Sequence, residues 1–255
     1  MASRLGWVGL VLILGVQSFA ENPLVALLQS TCKVTIEGQT GTGFFVRRGS
    51  VNFLVTAGHI FDKSSATECR LVIRDQKPQS EPSRRELTIP LHKEGKPLWK
   101  KHGSEDIAAL PVVLPVDSDM VSIPFDRILK VTKAGASEIA LGMEVWLPGY
   151  PAQLESNKEG WPVLRKGMVA SYPLSPISKT PTMLIDIRSF GGDSGGAVFT
   201  MIKGVPYIAG MIVGMHRQTD RTTSAFEDRT VHTPLGLAIA VQGQVVAQTV
   251  SLFAP

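Results

Sequence analysis

Several features that often reveal a protein's partners are scarce or missing in this sequence. The formal net charge is only +4 over 255 residues, and the basic residues do not cluster with aromatic ones, so nucleic-acid binding is not expected. The five histidines are scattered and lack ligand spacing with the two cysteines, so neither a metal site nor a cofactor is expected. Internal repeats and low-complexity tracts are also absent, and helical periodicity is rare.

Only one long apolar run is present, and it lies at the N-terminus. Arg4 supplies a positive charge, Leu5–Val16 is apolar, and Ser18–Ala20 forms a small-x-small cleavage site. This pattern predicts a signal peptide at residues 1–20, a mature chain that starts near Glu21, and a secreted protein, either extracellular or periplasmic. An uncleaved anchor is the alternative, but twelve residues are few for a bilayer span, which needs about 20. No stable membrane association is expected after the signal is removed.

Export also bears on the two cysteines. An exported chain with an even cysteine count can oxidise its thiols, so we predict a disulfide between Cys32 and Cys69 that closes a loop around His59. The alternative is two separate buried thiols.

Short β-branched or apolar runs, separated by Gly, Pro and polar clusters, make up most of the remaining chain. About eleven candidate strands at this spacing predict an all-β fold of antiparallel barrels or a sandwich. Short helices are expected at Pro23–Gln29 and Val241–Val250, and long exposed loops at Gln153–Pro162 and Arg217–Thr233.

The chain is expected to fold as two β-units of similar size. The first unit takes residues 21–118, a linker takes residues 119–140, and the second unit with the C-terminal tail takes residues 141–255. The linker region lacks the clean alternation of a strand.

Three segments carry residues of catalytic type. An apolar strand runs into a histidine in Leu54–His59, an acid precedes an apolar strand in Ser104–Leu110, and Gly191–Gly196 is rich in glycine around a serine. Acyl transfer needs a nucleophile, a base that takes its proton and an acid that orients the base. Each segment alone has an ordinary structural explanation, but together, in this order, they predict a catalytic site.

Glycine-rich turns let backbone N–H groups point at an oxyanion that forms during acyl transfer. In this turn Gly192 and Ser194 are the expected N–H donors, and the absence of bulky side chains lets substrate approach.

These segments resemble those of the trypsin/chymotrypsin-like serine protease superfamily. The matching residues are Thr56–His59, Asp106–Leu110 and Gly192–Gly196, with Gly41–Phe44 similar to the start of the family's first barrel, and the resemblance covers about Thr31–Ala240. It implies a chymotrypsin-like double barrel, that is, two six-stranded antiparallel β-barrels with the active site in the cleft between them. It also implies protein or peptide substrates and a monomer.

The resemblance assigns roles to individual residues. Ser194 would be the nucleophile, His59 the general base and then acid, and Asp106 the acid that holds the imidazole tautomer. Asp62 is the second candidate for that acid, but it lies so close to His59 in sequence that it cannot easily reach behind the ring.

The chain also departs from the digestive enzymes of the superfamily. It lacks the Ile-Val-Gly-Gly start whose amine pairs with the aspartate before the nucleophile, so Asp193 has no obvious partner. Backbone N–H groups, an arginine or the new amine at Glu21 are the candidates. With no cysteine beside His59, the pattern is closer to bacterial glutamyl endopeptidases.

The same resemblance points to a specificity pocket. The position six residues before the nucleophile, at the pocket base, is Arg188, followed by Ser189, and His216 lies where glutamyl endopeptidases contact the substrate side chain. Such donors favour Glu before the scissile bond, with Gln or Asp next. The substrate backbone is expected to add to the strand that contains Val213, Gly214 and Met215.

Two other functions compete with this interpretation. The run around Ser194 also satisfies Gly-x-Ser-x-Gly of α/β-hydrolase esterases, which require a helix after the serine and the order serine, acid, histidine. Here Gly195–Thr200 is predicted as a strand. The second alternative is a non-catalytic binding protein built on a protease scaffold.

Overall fold

The computed structural model describes residues 22–62, 64–76, 81–131, 137–223 and 227–254. The predicted signal peptide, residues 1–20, lies outside the described residues. Of the helices in these ranges, none has the length and apolar character that crossing a bilayer would take.

The N-terminal half is an open sheet of eight strands, in the order β5-β4-β1-β2-β3-β9-β8, with β10 paired in parallel to β2. A separate two-stranded piece joins β6 to β7. The strands of this half are β1 (Thr31–Ile36), β2 (Gln39–Arg48), β3 (Val51–Thr56), β4 (Glu68–Asp75), β5 (Ser83–Pro90), β6 (His92–Lys93), β7 (Lys96–Pro97), β8 (Lys100–Lys101), β9 (Ala108–Val112) and β10 (Ile123–Pro124).

The C-terminal half is a closed barrel of six strands in the order β11-β12-β13-β16-β15-β14. Its strands are β11 (Glu144–Gly149), β12 (Val163–Val169), β13 (Thr182–Asp186), β14 (Ala197–Ile202), β15 (Val205–Thr223) and β16 (Asp228–Gln242). The short helices are α1 (Val25–Gln29), α2 (Gly58–Asp62) and α3 (Gly243–Val250), so α1 and α3 lie inside the two predicted helical segments.

The prediction of two six-stranded barrels is therefore confirmed for the second half and differs for the first. The first sheet does not close, because its edge strands β5 and β8 are mostly exposed and charged, with Arg84 and Arg85 on β5 and Lys100 and Lys101 on β8. Charged edges of this kind discourage further strand pairing.

Apolar packing joins the two halves. One core cluster extends from the first sheet into the second half, where it includes Phe199, Ile208 and Val246, and a second cluster around Val145 and Ile185 fills the barrel. The first cluster thus fixes the barrel against the sheet.

The segment Arg217–Thr233, predicted as an exposed loop, is largely β-ribbon. β15 and β16 continue as a pair from Arg217↔Pro234 to Thr223↔Asp228. The ribbon is exposed on both faces, so its sequence carries no alternation of apolar and polar residues from which a strand could be predicted.

The predicted disulfide is wrong in this structure: Cys32 and Cys69 are both free and buried. They flank opposite ends of the paired segment of β1 and β4, in which Lys33 faces Val72 and Thr35 faces Arg70. By the rise of a strand the two Cα atoms are roughly 13 Å apart along the pair, whereas a disulfide allows about 7 Å.

Candidate active site

His59 follows closely after the end of β3, an interior strand of the first sheet. The buried strand ends at Thr56, and helix α2 begins at Gly58, so His59 sits in its first turn. A Cβ at Gly58 would lie 2.8 Å from Lys101 Cε and 3.0 Å from Asp106 Oδ1. Glycine therefore lets Asp106 approach the start of the helix closely.

Asp106 binds His59 through both carboxylate oxygens. Oδ2 lies 2.5 Å from His59 Nδ1, and Oδ1 accepts the backbone N–H of His59 at 2.8 Å. Burial opposes the charge of the Asp106 carboxylate, but the hydrogen bonds and charge interaction with His59, assisted by Lys101, outweigh it and lower the Asp106 pKa. Asp106 is thus held as an anion behind the imidazole.

The second candidate acid, Asp62, is engaged elsewhere. Its carboxylate pairs with the Lys101 ammonium group, on the neighbouring strand β8. Because the described contacts of the His59 ring run to Asp106, the structure places Asp106, and not Asp62, in position to orient the ring.

The turn that contains Ser194 is bound by both halves of the molecule. The carbonyl of Ser194 accepts the N–H of Thr42 from the first sheet at 2.9 Å, and Gly195 N–H donates to Ile212 O in the barrel at 2.8 Å. A Cβ at Gly195, where φ is +87°, would lie 2.1 Å from Thr42 O and 2.9 Å from Ala57 N. Ser194 therefore lies beside the segment that leads to His59.

Within the described ranges no hydrogen bond joins the Ser194 hydroxyl to the His59 ring. Contacts of this kind are often long without substrate and tighten once it binds. After the turn the chain enters strand β14, not a helix, so it does not follow the α/β-hydrolase pattern that was the alternative interpretation of Gly-x-Ser-x-Gly.

The N–H groups of this turn divide into two sets. Those of Asp193, Gly195 and Gly196 donate to internal carbonyls. In the described part of the chain, the N–H group of Gly191 has no internal acceptor, and neither do those of Gly192 and Ser194. The N–H groups of Gly192 and Ser194 are the two donors expected for an oxyanion. Gly192 has φ +98°, and a Cβ there would lie 2.3 Å from Tyr150 O, so the turn requires glycine.

Asp193 is bound by Arg165 and by a backbone N–H group, two of the three candidates that the sequence left open. Asp193 Oδ2 lies 2.9 Å from Arg165 Nη1, Oδ1 lies 2.5 Å from Nη2, and the Asp193 side chain is fully buried. Oδ2 also accepts the N–H of Phe190 at 2.8 Å. No local pattern pointed to Arg165, because it lies on β12 and meets Asp193 only through the closure of the barrel.

A cavity of about 270 Å³ lies next to the turn and is lined by Arg188, Ser189, Phe190, Pro234, Leu235 and Gly236. Arg188 is exposed and Ser189 is buried. The structure thus brings together two of the predicted substrate-binding residues, and the aromatic and aliphatic part of the lining was not predicted.

The other predicted substrate-binding residues lie on β15. Val213, Gly214 and Met215 are half-buried and belong to the pair with β16, and Gly214 faces Ile239. His216 is exposed where the register shifts between Met215 and Arg217, and it does not line the cavity of Arg188. In the described ranges no three His, Cys, Asp or Glu side chains are grouped to hold a metal ion.

Comparison with known proteins is consistent with this architecture. The family profile described as "Trypsin-like peptidase domain" matches residues 41–205, well over half of the chain. No curated protein matches the sequence.

Three solved structures align with nearly the whole chain at low identity. The Rv3671c protease of M. tuberculosis in an inactive form is 17% identical, with 91% of this chain and 93% of that chain covered and a TM-score of 0.49. Its serine-to-alanine variant is also 17% identical, with 91% of this chain and 90% of that chain covered and a TM-score of 0.48. Human heparin binding protein is 11% identical, with 89% and 92% covered and a TM-score of 0.53, a likeness that shows the fold alone.

Proposed function

The chain belongs to the trypsin-like peptidase domain family, and from this we propose that it is a secreted serine endopeptidase. In this proposal peptide bonds are hydrolysed through an acyl-enzyme on Ser194, with His59 as base and Asp106 as the orienting acid. Membership of a peptidase family suggests a serine peptidase and implies protein substrates.

The observation that carries the proposal is the pair of bonds between Asp106 and His59. With Asp106 ionised, Nδ1 of His59 must hold the proton, so Nε2 is free to accept one. The Ser194 hydroxyl attacks the substrate carbonyl carbon and gives its proton to Nε2, while the carbonyl oxygen takes the electron pair as an oxyanion. The N–H groups of Gly192 and Ser194 stabilise that oxyanion.

The tetrahedral intermediate then collapses to the acyl-enzyme. The C–N bond breaks, and His59 returns its proton to the leaving amine. In the second half of the reaction a water molecule gives a proton to His59 Nε2 and attacks the ester carbon. The bond from that carbon to Ser194 Oγ then breaks, His59 returns the proton to Oγ, and the acid product is released.

Labelling with a fluorophosphonate probe tests the nucleophile. We expect the wild-type chain to be labelled and the Ser194→Ala variant to lose the label. Ser251→Ala, a change at an exposed serine beyond α3, should label like wild type. Equal labelling of Ser194→Ala and wild type would refute the assignment, and the absence of labelling in a folded wild-type chain would favour the non-catalytic binding protein.

We propose that the enzyme prefers Glu before the scissile bond, then Gln or Asp. The support is the cavity that contains Arg188 and the hydroxyl of Ser189, whose lining includes no carboxylate. A substrate carboxylate there would gain a charge-assisted hydrogen bond worth about 1.5–3 kcal/mol, or roughly 10- to 100-fold in kcat/KM. The exposed position of His216 outside this lining gives it no equivalent support.

Digestion of a peptide library tests this preference. We expect cleavage after Glu, and for Arg188→Met a roughly 10- to 100-fold lower kcat/KM with Glu substrates but little change with a matched Leu substrate. Arg229→Met, at the far end of the exposed ribbon, is the control. Predominant cleavage by wild type after Arg, Lys or large apolar residues would overturn the preference.

We also propose export and signal removal, from the pattern at residues 1–20. Expression of the full chain followed by N-terminal sequencing of exported protein should give a first residue near Glu21. Protein that stays in the membrane with its apolar run intact would contradict this.

A further inference from the structure

Asp193, the residue before Ser194 in the nucleophile turn, forms an ion pair with Arg165. We propose that Arg165 is a positioning residue that fixes this turn from inside the chain, so that the oxyanion site forms without a newly cleaved N-terminal amine. The inference rests on the proposed function, because it concerns the same turn.

Arg165 starts from a rigid position. It lies on strand β12 opposite Leu147 of β11, within the closed barrel. Gly149 makes room for the pair, since a Cβ there would lie 3.1 Å from Asp193 Oδ1 and 3.3 Å from Arg165 Nη2. The closed barrel thus holds the Arg165 guanidinium at a fixed position beside the turn.

The Asp193 carboxylate is fully occupied by these donors. It is 0% exposed, takes two bonds from the guanidinium and a third from the N–H of Phe190. A buried carboxylate requires a partner of opposite charge, and a planar guanidinium supplies one with two parallel bonds. An α-amine could bind Asp193 only after displacing Arg165.

The same guanidinium also binds the backbone of the cavity lined by Arg188 and Ser189. Arg165 Nη1 also donates to the carbonyl of Arg188 at 2.9 Å. One side chain therefore fixes the residue just before the nucleophile and the backbone at the base of the cavity. Loss of Arg165 would free both segments at once.

The N-terminal segment is held elsewhere. Asn22 is exposed, its side chain accepts the N–H of Leu24 at 3.0 Å, and its carbonyl accepts the N–H of Val25 at 2.8 Å. These bonds form the turn that starts α1 on the surface, while Asp193 is wholly buried. Nothing in this turn directs the chain towards Asp193.

Two sets of measurements test the proposal. The first compares wild-type chains that start at Glu21 with chains that carry a Gly-Ser extension or an acetylated α-amine. We expect kcat values within about twofold of each other, since Arg165 supplies the charge. Because only wild-type chains are used, this comparison does not depend on how a variant folds.

The second set measures kcat, KM and the affinity of a peptide aldehyde, which forms an oxyanion on the serine. We expect Arg165→Met to lower kcat by about 10²–10³-fold and to weaken the aldehyde similarly, as for loss of an oxyanion donor, with KM changed much less. Arg165→Lys should recover part of both. Lys166→Met, at the next and exposed position paired with Glu144, should match wild type.

Arg165→Met leaves a buried charge, so Arg165→Met/Asp193→Asn is measured as well. This double variant should unfold cooperatively and still have the low kcat and weak aldehyde binding. Wild-type kcat in the double variant, or activity that appears only after a specific N-terminus is released, would overturn the inference. Failure of Ser194→Ala to abolish fluorophosphonate labelling would instead refute the proposed function, so the two failures are distinguishable.

Discussion

Replacement of Asp106 by asparagine should disable the base while preserving the fold. Oδ1 of Asp106 accepts the backbone N–H of His59 at 2.8 Å, and that group can only donate. The asparagine carbonyl must therefore face the backbone, which turns the amide NH₂ towards His59 Nδ1. Nδ1 becomes an acceptor, the ring proton moves to Nε2, and Nε2 can no longer take the proton of Ser194.

The expected loss follows from this tautomer. Comparable changes in serine proteases lower kcat by about 10⁴, equivalent to about 5 kcal/mol of transition-state stabilisation, while KM changes little. Steady-state hydrolysis of a fluorogenic peptide with Glu before the cleaved bond, at a fixed pH near 7.5, measures the loss. Thermal unfolding of Asp106→Asn shows whether the fold is kept.

Asp62→Asn is the matched control, because it removes a nearby carboxylate of the same charge that pairs with Lys101 and not with His59. We expect less than about a tenfold loss of kcat, as for a partly exposed ion pair. An Asp106→Asn variant within tenfold of wild type, or an equally severe Asp62→Asn, would refute the assignment of the acid.

Three further predictions concern stability. Gly195→Ala should lower the free energy of unfolding, measured in urea, by about 3 kcal/mol, because φ is +87° and the added Cβ would lie 2.1 Å from a backbone carbonyl oxygen. Gly191→Ala is the control, since its Cβ would meet nothing within 4 Å and the change should be near neutral. Equal effects of the two changes would contradict this reasoning. Arg74→Met should lower the free energy of unfolding by about 3–5 kcal/mol, because it leaves the buried carboxylate of Asp119, which lies 2.8 Å from the Arg74 guanidinium, without a partner of opposite charge. The double variant Arg74→Met/Asp119→Asn should recover part of this stability, and no recovery would contradict the stated cause. The lowered pKa of Asp106 stabilises the folded state above the pKa of the unfolded chain, about 4, and this stability is lost as the pH falls through the lower pKa of the folded chain. Between pH 5 and pH 2 the urea midpoint should therefore fall less in Asp106→Asn than in wild type. An equal fall in both proteins would contradict this prediction.

The sequence was sufficient for features with a local pattern. An apolar strand that runs into His59, an acid before an apolar strand at Asp106 and a glycine-rich run at Ser194 are each readable within a few residues, and the barrel follows from short apolar strands. The order of these segments along the chain then favoured one fold over the α/β-hydrolase pattern.

Features that depend on pairing between distant strands were not readable. Arg165 and Asp193 are 28 residues apart and meet only because the barrel closes between them. The prediction of a disulfide was wrong for a related reason, because the strand register places Cys32 and Cys69 at opposite ends of the paired segment of β1 and β4. Register is decided by which face each strand buries, and this information is spread over the whole sheet.

The contacts of Thr42 explain why the nucleophile turn depends on both halves of the molecule. Thr42 N–H donates to Ser194 O at 2.9 Å, its hydroxyl donates to Gly192 O at 2.7 Å, and the same hydroxyl accepts the N–H of Tyr150 at 3.3 Å. One residue of the first sheet thus holds the turn, while Arg165 holds it from the barrel. Separation of the sheet from the barrel would therefore remove the two Thr42 bonds, while Arg165 and the bond from Gly195 N–H to Ile212 O would still hold the turn from the barrel. The geometry of the site therefore depends on contacts from both halves of the molecule as well as on the glycine-rich turn itself.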